Sequence, residues 1–171
     1  MGISAKFINI LKNLYNGANI SIKVGKDVSG SVTLREGFLQ GEILSPLLFA
    51  IYINDLEDYL RKSKLSGINV DGETDIILLA YADDLALVSD SPISLQRKLN
   101  ILERYCDANL LTINVAKTNF LPFHQGRGPE PWIFKYKESV VEVVNNFCYL
   151  GVNFSSSGKF LAKKSITGID R

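Results

Sequence analysis

Thirteen residues, Ile76-Ile77-Leu78-Leu79-Ala80-Tyr81-Ala82-Asp83-Asp84-Leu85-Ala86-Leu87-Val88, constrain this chain more than any other stretch. Two short apolar runs of strand type flank a pair of adjacent carboxylates, which predicts a β-hairpin with Asp83 and Asp84 at its tip. Neighbouring carboxylates repel each other and are unfavourable beside an apolar core unless water, donors or a cation meets them. A divalent cation is the simplest remedy, and a solvated turn that needs no function is the alternative.

The remainder of the chain gives that hairpin a setting. Its 171 residues suffice for one hydrophobic core, and 46% hydrophobic content with 22% charge is that of a globular protein with no membrane-spanning run. The start, Met1 to Lys6, lacks the apolar segment of a signal peptide, so an intracellular protein of nucleus or cytoplasm, not secreted, is expected. Cys106, Cys148 and the one histidine, His124, are too few for a zinc site of those ligand types.

Net charge is only +1, but it is unevenly spread. Residues 1–35 carry five Lys/Arg against one Asp/Glu, residues 36–116 carry six against thirteen, and residues 117–171 carry eight against four. An acidic centre between basic ends suits a cation site flanked by polyanion-binding surfaces, and ordinary solvated faces produce the same pattern.

Ile3, Phe7, Ile10, Leu11 and Leu14 recur at helical spacing, with Gly17 placed to end the helix. Alternation through Ile20, Ile22 and Val24, then Val32 and Leu34, predicts a hairpin turning at Gly25–Gly30. Ser45 as N-cap and Pro46 at the first helical position open a helix with the stripe Leu48, Tyr52, Leu56 and Tyr59, expected to run to about Lys64. Ser94 is the expected cap of another helix, whose Leu95, Leu99, Leu102 and Cys106 face one way. Leu111–Val115 reads as extended, and Phe120-Leu121, Trp132–Tyr136, Val140–Val144 and Phe147–Phe154 read as short strands. The Gly126-Arg127-Gly128-Pro129 run lacks the flanking grammar of a phosphate loop and reads as a linker. The order of elements describes an α+β fold with a mainly antiparallel sheet.

Four of these blocks, in order, resemble the reverse transcriptases of non-LTR (LINE-type) retrotransposons. Tyr81-Ala82-Asp83-Asp84 is similar to the family's Y-x-D-D motif. Gln40-Gly41 with Leu44-Ser45-Pro46-Leu47-Leu48-Phe49 is similar to the block before the palm helix. Asn109–Asn114 with Lys117-Thr118 is similar to the block that follows, and Tyr149-Leu150-Gly151 to the primer-grip hairpin.

The resemblance implies a palm, an antiparallel sheet with packed helices, with fingers and thumb largely missing. It divides the chain into a fingers/palm remnant (1–35), a palm (36–122), primer-grip strands (123–155) and a truncated start of a thumb (156–171). It implies RNA-directed DNA polymerase activity, nucleotidyl transfer onto a primer 3′ hydroxyl with two magnesium ions, or manganese in their place. Asp83 and Asp84 would be catalytic and metal-binding, with Asp83 the stronger ligand. Lys117 is a candidate general acid or an ordinary surface lysine. Gln40, Gly41, Tyr81 and Ala82 would border the nucleotide and template; a helix-entry turn is the lesser alternative for Gln40-Gly41, and Tyr81 fits a core position equally. Tyr149, Leu150 and Gly151 would steady the primer.

The implied partners are an RNA template, a DNA primer, deoxynucleoside triphosphates and the rest of a polyprotein (fingers, thumb, endonuclease), with no membrane. The family's further aspartate on an upstream strand finds no match, so weak or no activity is expected of the chain alone. A non-catalytic palm remnant that binds nucleic acid is the alternative. A phosphoacceptor receiver domain is disfavoured, because Leu85 to Val88 continues as strand and no suitable later Asp follows.

Overall fold

A computed structural model describes residues 3–33, 43–124 and 132–158, together with the backbone of 160–162. The chain divides into two compact units, residues 1–48 and 49–171.

In the first unit, helix α1 (Ala5–Asn16) begins where the Ser4 side chain accepts a hydrogen bond from the Phe7 amide at 3.3 Å, and it ends at Gly17 as expected. The expected hairpin forms in two pieces. Strand β1 (Asn19–Ile20) pairs with β4 (Val32–Thr33), and β2 (Lys23–Val24) pairs with β3 (Asp27–Val28) across a turn at Gly25, φ 63°. Between the two ladders the Ser29 hydroxyl accepts from the Ile22 amide at 2.9 Å, so a side chain takes the place of a ladder carbonyl. Leu34 lies outside the described residues.

The expected continuous helix from Ser45 to Lys64 is instead two. Helix α2 (Leu44–Tyr52) is separated from α3 (Leu56–Lys62) by the turn Ile53–Asp55. Ser45 lies inside the first turn of α2 and is not its cap. The interruption places the Asp55 carboxylate where it accepts a 2.6 Å hydrogen bond from the Tyr105 hydroxyl, a partner 50 positions away that no local pattern announces.

Next come β5 (Ile68–Asn69) and β6 (Asp75–Ile76), antiparallel and joined through a loop in which the Asp71 carboxylate accepts from the amides of Glu73 and Thr74. Strands β7 (Leu78–Tyr81) and β8 (Asp84–Leu87) form the central hairpin. Helix α4 (Pro92–Ala108) is capped by Ser91, whose hydroxyl accepts from the amide of Ser94 at 3.3 Å. The expected cap is thus the donor, and Pro92 takes the first helical position, where it loses no bond.

After a 3₁₀ turn (Val115–Lys117) come β9 (Asn119–Phe120), β10 (Phe134–Tyr136), β11 (Ser139–Val143), β12 (Asn146–Tyr149), β13 (Val152–Ser155) and β14 (Phe160–Ala162). Pairing is antiparallel except between β11 and β9, which run parallel. The described strands make small separate sheets of two or three, within an α+β architecture.

The core of the second unit gathers Leu56 and Leu60 of α3, Ile77, Leu99, Ile101, Leu102, Tyr105 and Cys106 of α4, and Phe134, Tyr136 and Val141 of the β10–β11 ribbon. Each fully buried aliphatic or aromatic side chain of this kind contributes about 1.5–3 kcal/mol. Tyr59 meets Tyr105 edge to face at 5.3 Å, and Phe120 lies against Phe134 at 4.2 Å. The Gln96 amide donates to the Lys135 carbonyl and accepts from the Lys135 amide, fastening α4 to the backbone of β10.

Candidate functional site

The register Leu78↔Leu87, Leu79↔Ala86, Ala80↔Leu85 and Tyr81↔Asp84 assigns the faces of the central hairpin. Leu78, Leu85 and Leu87 pack against the core, which sends Leu79, Tyr81, Ala86 and Asp84 to the opposite face. Tyr81 is 65% exposed, so it is not the core aromatic that its type allows. Asp83 and Asp84 are both exposed at the tip.

The tip itself is strained. Ala82, the first of its two turn residues, has φ 51°, a left-handed value that costs a non-glycine residue about 1–2 kcal/mol. Such outliers cluster where a backbone is held for a purpose. Here the purpose is geometric, since a positive φ at that position matches the turn to the twist of the strands.

Two supports hold the hairpin from below. The Val88 amide donates to the Ile77 carbonyl at 3.0 Å, closing its base. The fully buried Lys98 of α4 donates its ammonium to the Val88 carbonyl. Burial pushes the Lys98 pKa down, and the charges of Asp90 and Asp75 counter that effect. Before the hairpin, the Arg61 guanidinium grips Asp75 through its carboxylate and its carbonyl, each at 2.7 Å. The Gly67 amide donates to the same carboxylate, and these donors hold the Asp75 pKa below the usual carboxylate value, Gly67 first and Arg61 second.

A second hairpin meets the first. Strands β12 and β13 turn at Leu150-Gly151, with φ 49° and 80°, the two positive values of a type I′ turn. Tyr149, at its shoulder, points its hydroxyl at the Asp84 carbonyl, 3.4 Å away. Partial burial, and then the nearby charge of Asp84, raise the Tyr149 pKa, so it remains a protonated donor at neutral pH. The structure thus brings together Tyr81, Ala82, Asp83, Asp84 and Tyr149, with Leu150 and Gly151 at the adjoining turn.

Lys117 sits exposed on the 3₁₀ turn, and among the described residues no hydrogen bond or ion pair links it to the aspartates. Gln40 and Gly41 lie outside the described residues. No group of three or more His, Cys, Asp or Glu side chains among the described residues is arranged to hold a metal ion. The Asp83–Asp84 pair still has the right donor chemistry for magnesium, which takes one or two carboxylates together with waters and substrate phosphates.

Residues 2–154 match the family model described as reverse transcriptase (RNA-dependent DNA polymerase). The chain belongs to that family. The Pol polyprotein of the type-1 retrotransposable element R2 from Popillia japonica is 28% identical over 99% of this chain and 29% of its own length. The RNA-directed DNA polymerase from mobile element jockey of Drosophila funebris is 22% identical over 98% of this chain and 18% of its own. The Transposon TX1 uncharacterized 149 kDa protein of Xenopus laevis is 28% identical over 68% of this chain and 9% of its own length. These relatives bear out the likeness to LINE-type reverse transcriptases, and the chain spans under a third of their length. No helix among the described residues is long and apolar enough to cross a membrane.

For this reverse transcriptase sequence, two supporting residues escaped the reading of the chain. Lys98 lies on the apolar side of α4 beside Leu99 and Leu102, and a lysine there reads as solvated. Its helical phase was the available signal. Gln96 carried none, because an amide on a helix gives no hint that a strand edge lies opposite.

Proposed function

We propose that this chain is the palm portion of an RNA-directed DNA polymerase, which joins deoxynucleotides to a primer 3′ hydroxyl along an RNA template. The observation that carries the reading is the exposed Asp83–Asp84 pair at a strained two-residue turn, with Tyr149 from the β12–β13 hairpin bonded to the Asp84 carbonyl. In this reading residues 36–122 supply the palm, 123–155 the primer grip, and the flanking segments meet fingers and thumb of a longer polyprotein in the nucleus or cytoplasm.

Asp83 and Asp84 present carboxylate oxygens where magnesium, or manganese, would bind with the triphosphate. When bound, the metal ions activate the primer hydroxyl and stabilise the charge on the departing pyrophosphate. The chain's own residues perform the positioning. Tyr81, on the same hairpin face as Asp84, offers a ring to the primer end, and Ala82 keeps the tip small enough for close approach. Tyr149 steadies Asp84, while Leu150 and Gly151 turn the second hairpin beside the primer. Gln40 and Gly41 would border the template, and Lys117 would meet pyrophosphate.

Manganese-induced paramagnetic broadening tests the reading. Amides 80–86 should broaden selectively, and Asp83→Ala with Asp84→Ala should abolish the effect. Primer extension on an RNA template should be slow or undetectable for the chain alone. Any extension should fall by about a hundredfold or more in Asp83→Ala, as expected when several kcal/mol of charge stabilisation is lost.

A second reading, a palm remnant that binds nucleic acid without catalysis, is favoured by the lack of a third ligand among the described residues. Absence of broadening at the tip would establish it over the first.

A further inference from the structure

The outer face of α4 carries a feature that the hairpin chemistry does not use. A shallow cleft of about 380 Å³ lies between the end of α3 and the middle of α4, lined by Ser63, Lys64, Leu65, Arg97, Asn100, Ile101 and Arg104. Three of these are cations, all exposed, and none forms an ion pair with another described residue. The ion pairs among the described residues are Arg61 with Glu57, Arg61 with Asp75, and Lys137 with Asp107. Lys64 follows the last turn of α3 in a left-handed conformation, φ 57°, which places it beyond the helix end.

Arg97, Asn100 and Arg104 recur at spacings of three and four along α4, so they share a stripe. The core residues Leu99, Leu102 and Cys106 occupy the other side of the helix. No residue of the Asp83–Asp84 hairpin lines the cleft. Arg97 and Arg104 stand two turns apart, about 10 Å along the axis. That interval spans about three phosphates of one duplex strand. Three cations at that spacing suit a polyanionic strand, whose successive phosphates would meet both guanidiniums and reach Lys64 across the cleft.

We infer that Lys64, Arg97 and Arg104 form a second nucleic-acid contact, a phosphodiester-backbone site on the outer face of α4 that is separate from the primer and template held at the hairpins. The inference takes its nucleic-acid partner from the proposed function but does not require a competent catalytic tip. Contacts to the backbone are independent of sequence and dependent on salt. The site would hold RNA that extends beyond the copied segment.

The test is fluorescence anisotropy of the 171-residue chain with a 30-nucleotide RNA of mixed sequence, titrated at several salt concentrations. The triple variant Lys64→Gln/Arg97→Gln/Arg104→Gln is compared with Lys12→Gln/Lys23→Gln/Lys26→Gln, which removes equal charge from the first unit, and circular dichroism checks the fold of both. The cleft variant should bind at least about tenfold more weakly, with a salt slope shallower by about two, since each single-strand phosphate contact contributes about 0.7. Equal affinities and slopes for the two variants would overturn the assignment, as would displacement of the RNA by a short phosphopeptide at matching phosphate concentration. Absence of manganese broadening at the tip of the unsubstituted chain, with the cleft effect intact, would refute the catalytic reading alone.

Discussion

The hydroxyl of Tyr149 lies 3.4 Å from the backbone carbonyl of Asp84, joining two hairpins whose contacting residues are 65 positions apart. Because the acceptor is a main-chain atom, the contact acts on where Asp84 sits and leaves its carboxylate oxygens free. Tyr149→Phe removes the donor while keeping the ring. The bond is long and exposed, so the expected loss of stability is under about 1 kcal/mol. The expected effect on the site is larger, with weaker manganese broadening at amides 83–85 and unchanged broadening in a surface control such as Glu138→Gln. Unchanged broadening in Tyr149→Phe would show that the second hairpin does not position the first.

Both hairpin tips place a non-glycine residue at positive φ, Ala82 at 51° and Leu150 at 49°. Leu150→Asn should raise stability by about 1 kcal/mol, or about 2–4 °C in Tm, because asparagine tolerates the left-handed region that a type I′ turn demands. Ala82→Gly should gain a similar amount while loosening the tip, which would appear as a higher Tm together with weaker metal binding. Thermal melts of the two variants check both expectations.

Gly67 admits no side chain. A Cβ built there would stand 1.9 Å from the Ile76 carbonyl oxygen, and the Gly67 amide donates to the Asp75 carboxylate. Gly67→Ala must displace backbone, separating β5 from β6 and weakening the hold on Asp75. A loss of about 2 kcal/mol or more is expected, read as a Tm fall of about 5 °C or more.

Lys98 is the buried support beneath β8. Lys98→Met leaves the Val88 carbonyl unpaired, which costs about 1–3 kcal/mol, and removal of a desolvated ammonium offsets part of that. A net loss of about 1 kcal/mol is expected, with faster hydrogen exchange at Leu87 and Val88. Exchange rates equal to those of the parent chain would show that the bond does not hold the hairpin.

Alkaline stability provides a further check. Burial raises the pKa of Tyr105 and of Tyr136, and the Asp55 hydrogen bond raises Tyr105 further. The folded chain thus keeps protons that the unfolded chain loses near the ordinary tyrosine value of about 10. Their stabilising contribution is complete below that pH and declines as pH rises toward the folded values. Lys98, whose folded pKa is depressed, works in the opposite sense, gaining stability as pH rises toward 10.5. Urea denaturation should show stability falling above about pH 10. Tyr105→Phe should flatten that fall while costing about 1 kcal/mol at pH 7 through the lost bond to Asp55.

Local periodicity carried much of the architecture. The apolar runs on either side of Asp83 and Asp84 were enough to place a hairpin with its tip between the strands, and the spacing of Leu99, Leu102 and Cys106 was enough to give α4 its inward face. Where a local rule failed, a distant partner had prevailed. The helix expected to run from Ser45 to Lys64 breaks where Asp55 meets Tyr105. Ser91 displaces Ser94 as the cap because proline at the next position makes it the better start of the helix. The parallel pairing of β9 with β11 joins segments more than twenty positions apart, a register that strand patterns do not encode.

By itself the amino-acid order determined the paired acids between two strands, the ordered motifs that resemble reverse transcriptases, and the helices and turns around them. Those features depend on the side-chain period and turn chemistry of a few neighbouring residues. Only the tertiary structure decided that Tyr149 reaches Asp84, that Lys98 lies buried under the hairpin, and that Lys64 joins Arg97 and Arg104 around one cleft. Each of those arrangements joins groups that are not neighbours in the chain, and only the packing of the whole unit brings them together.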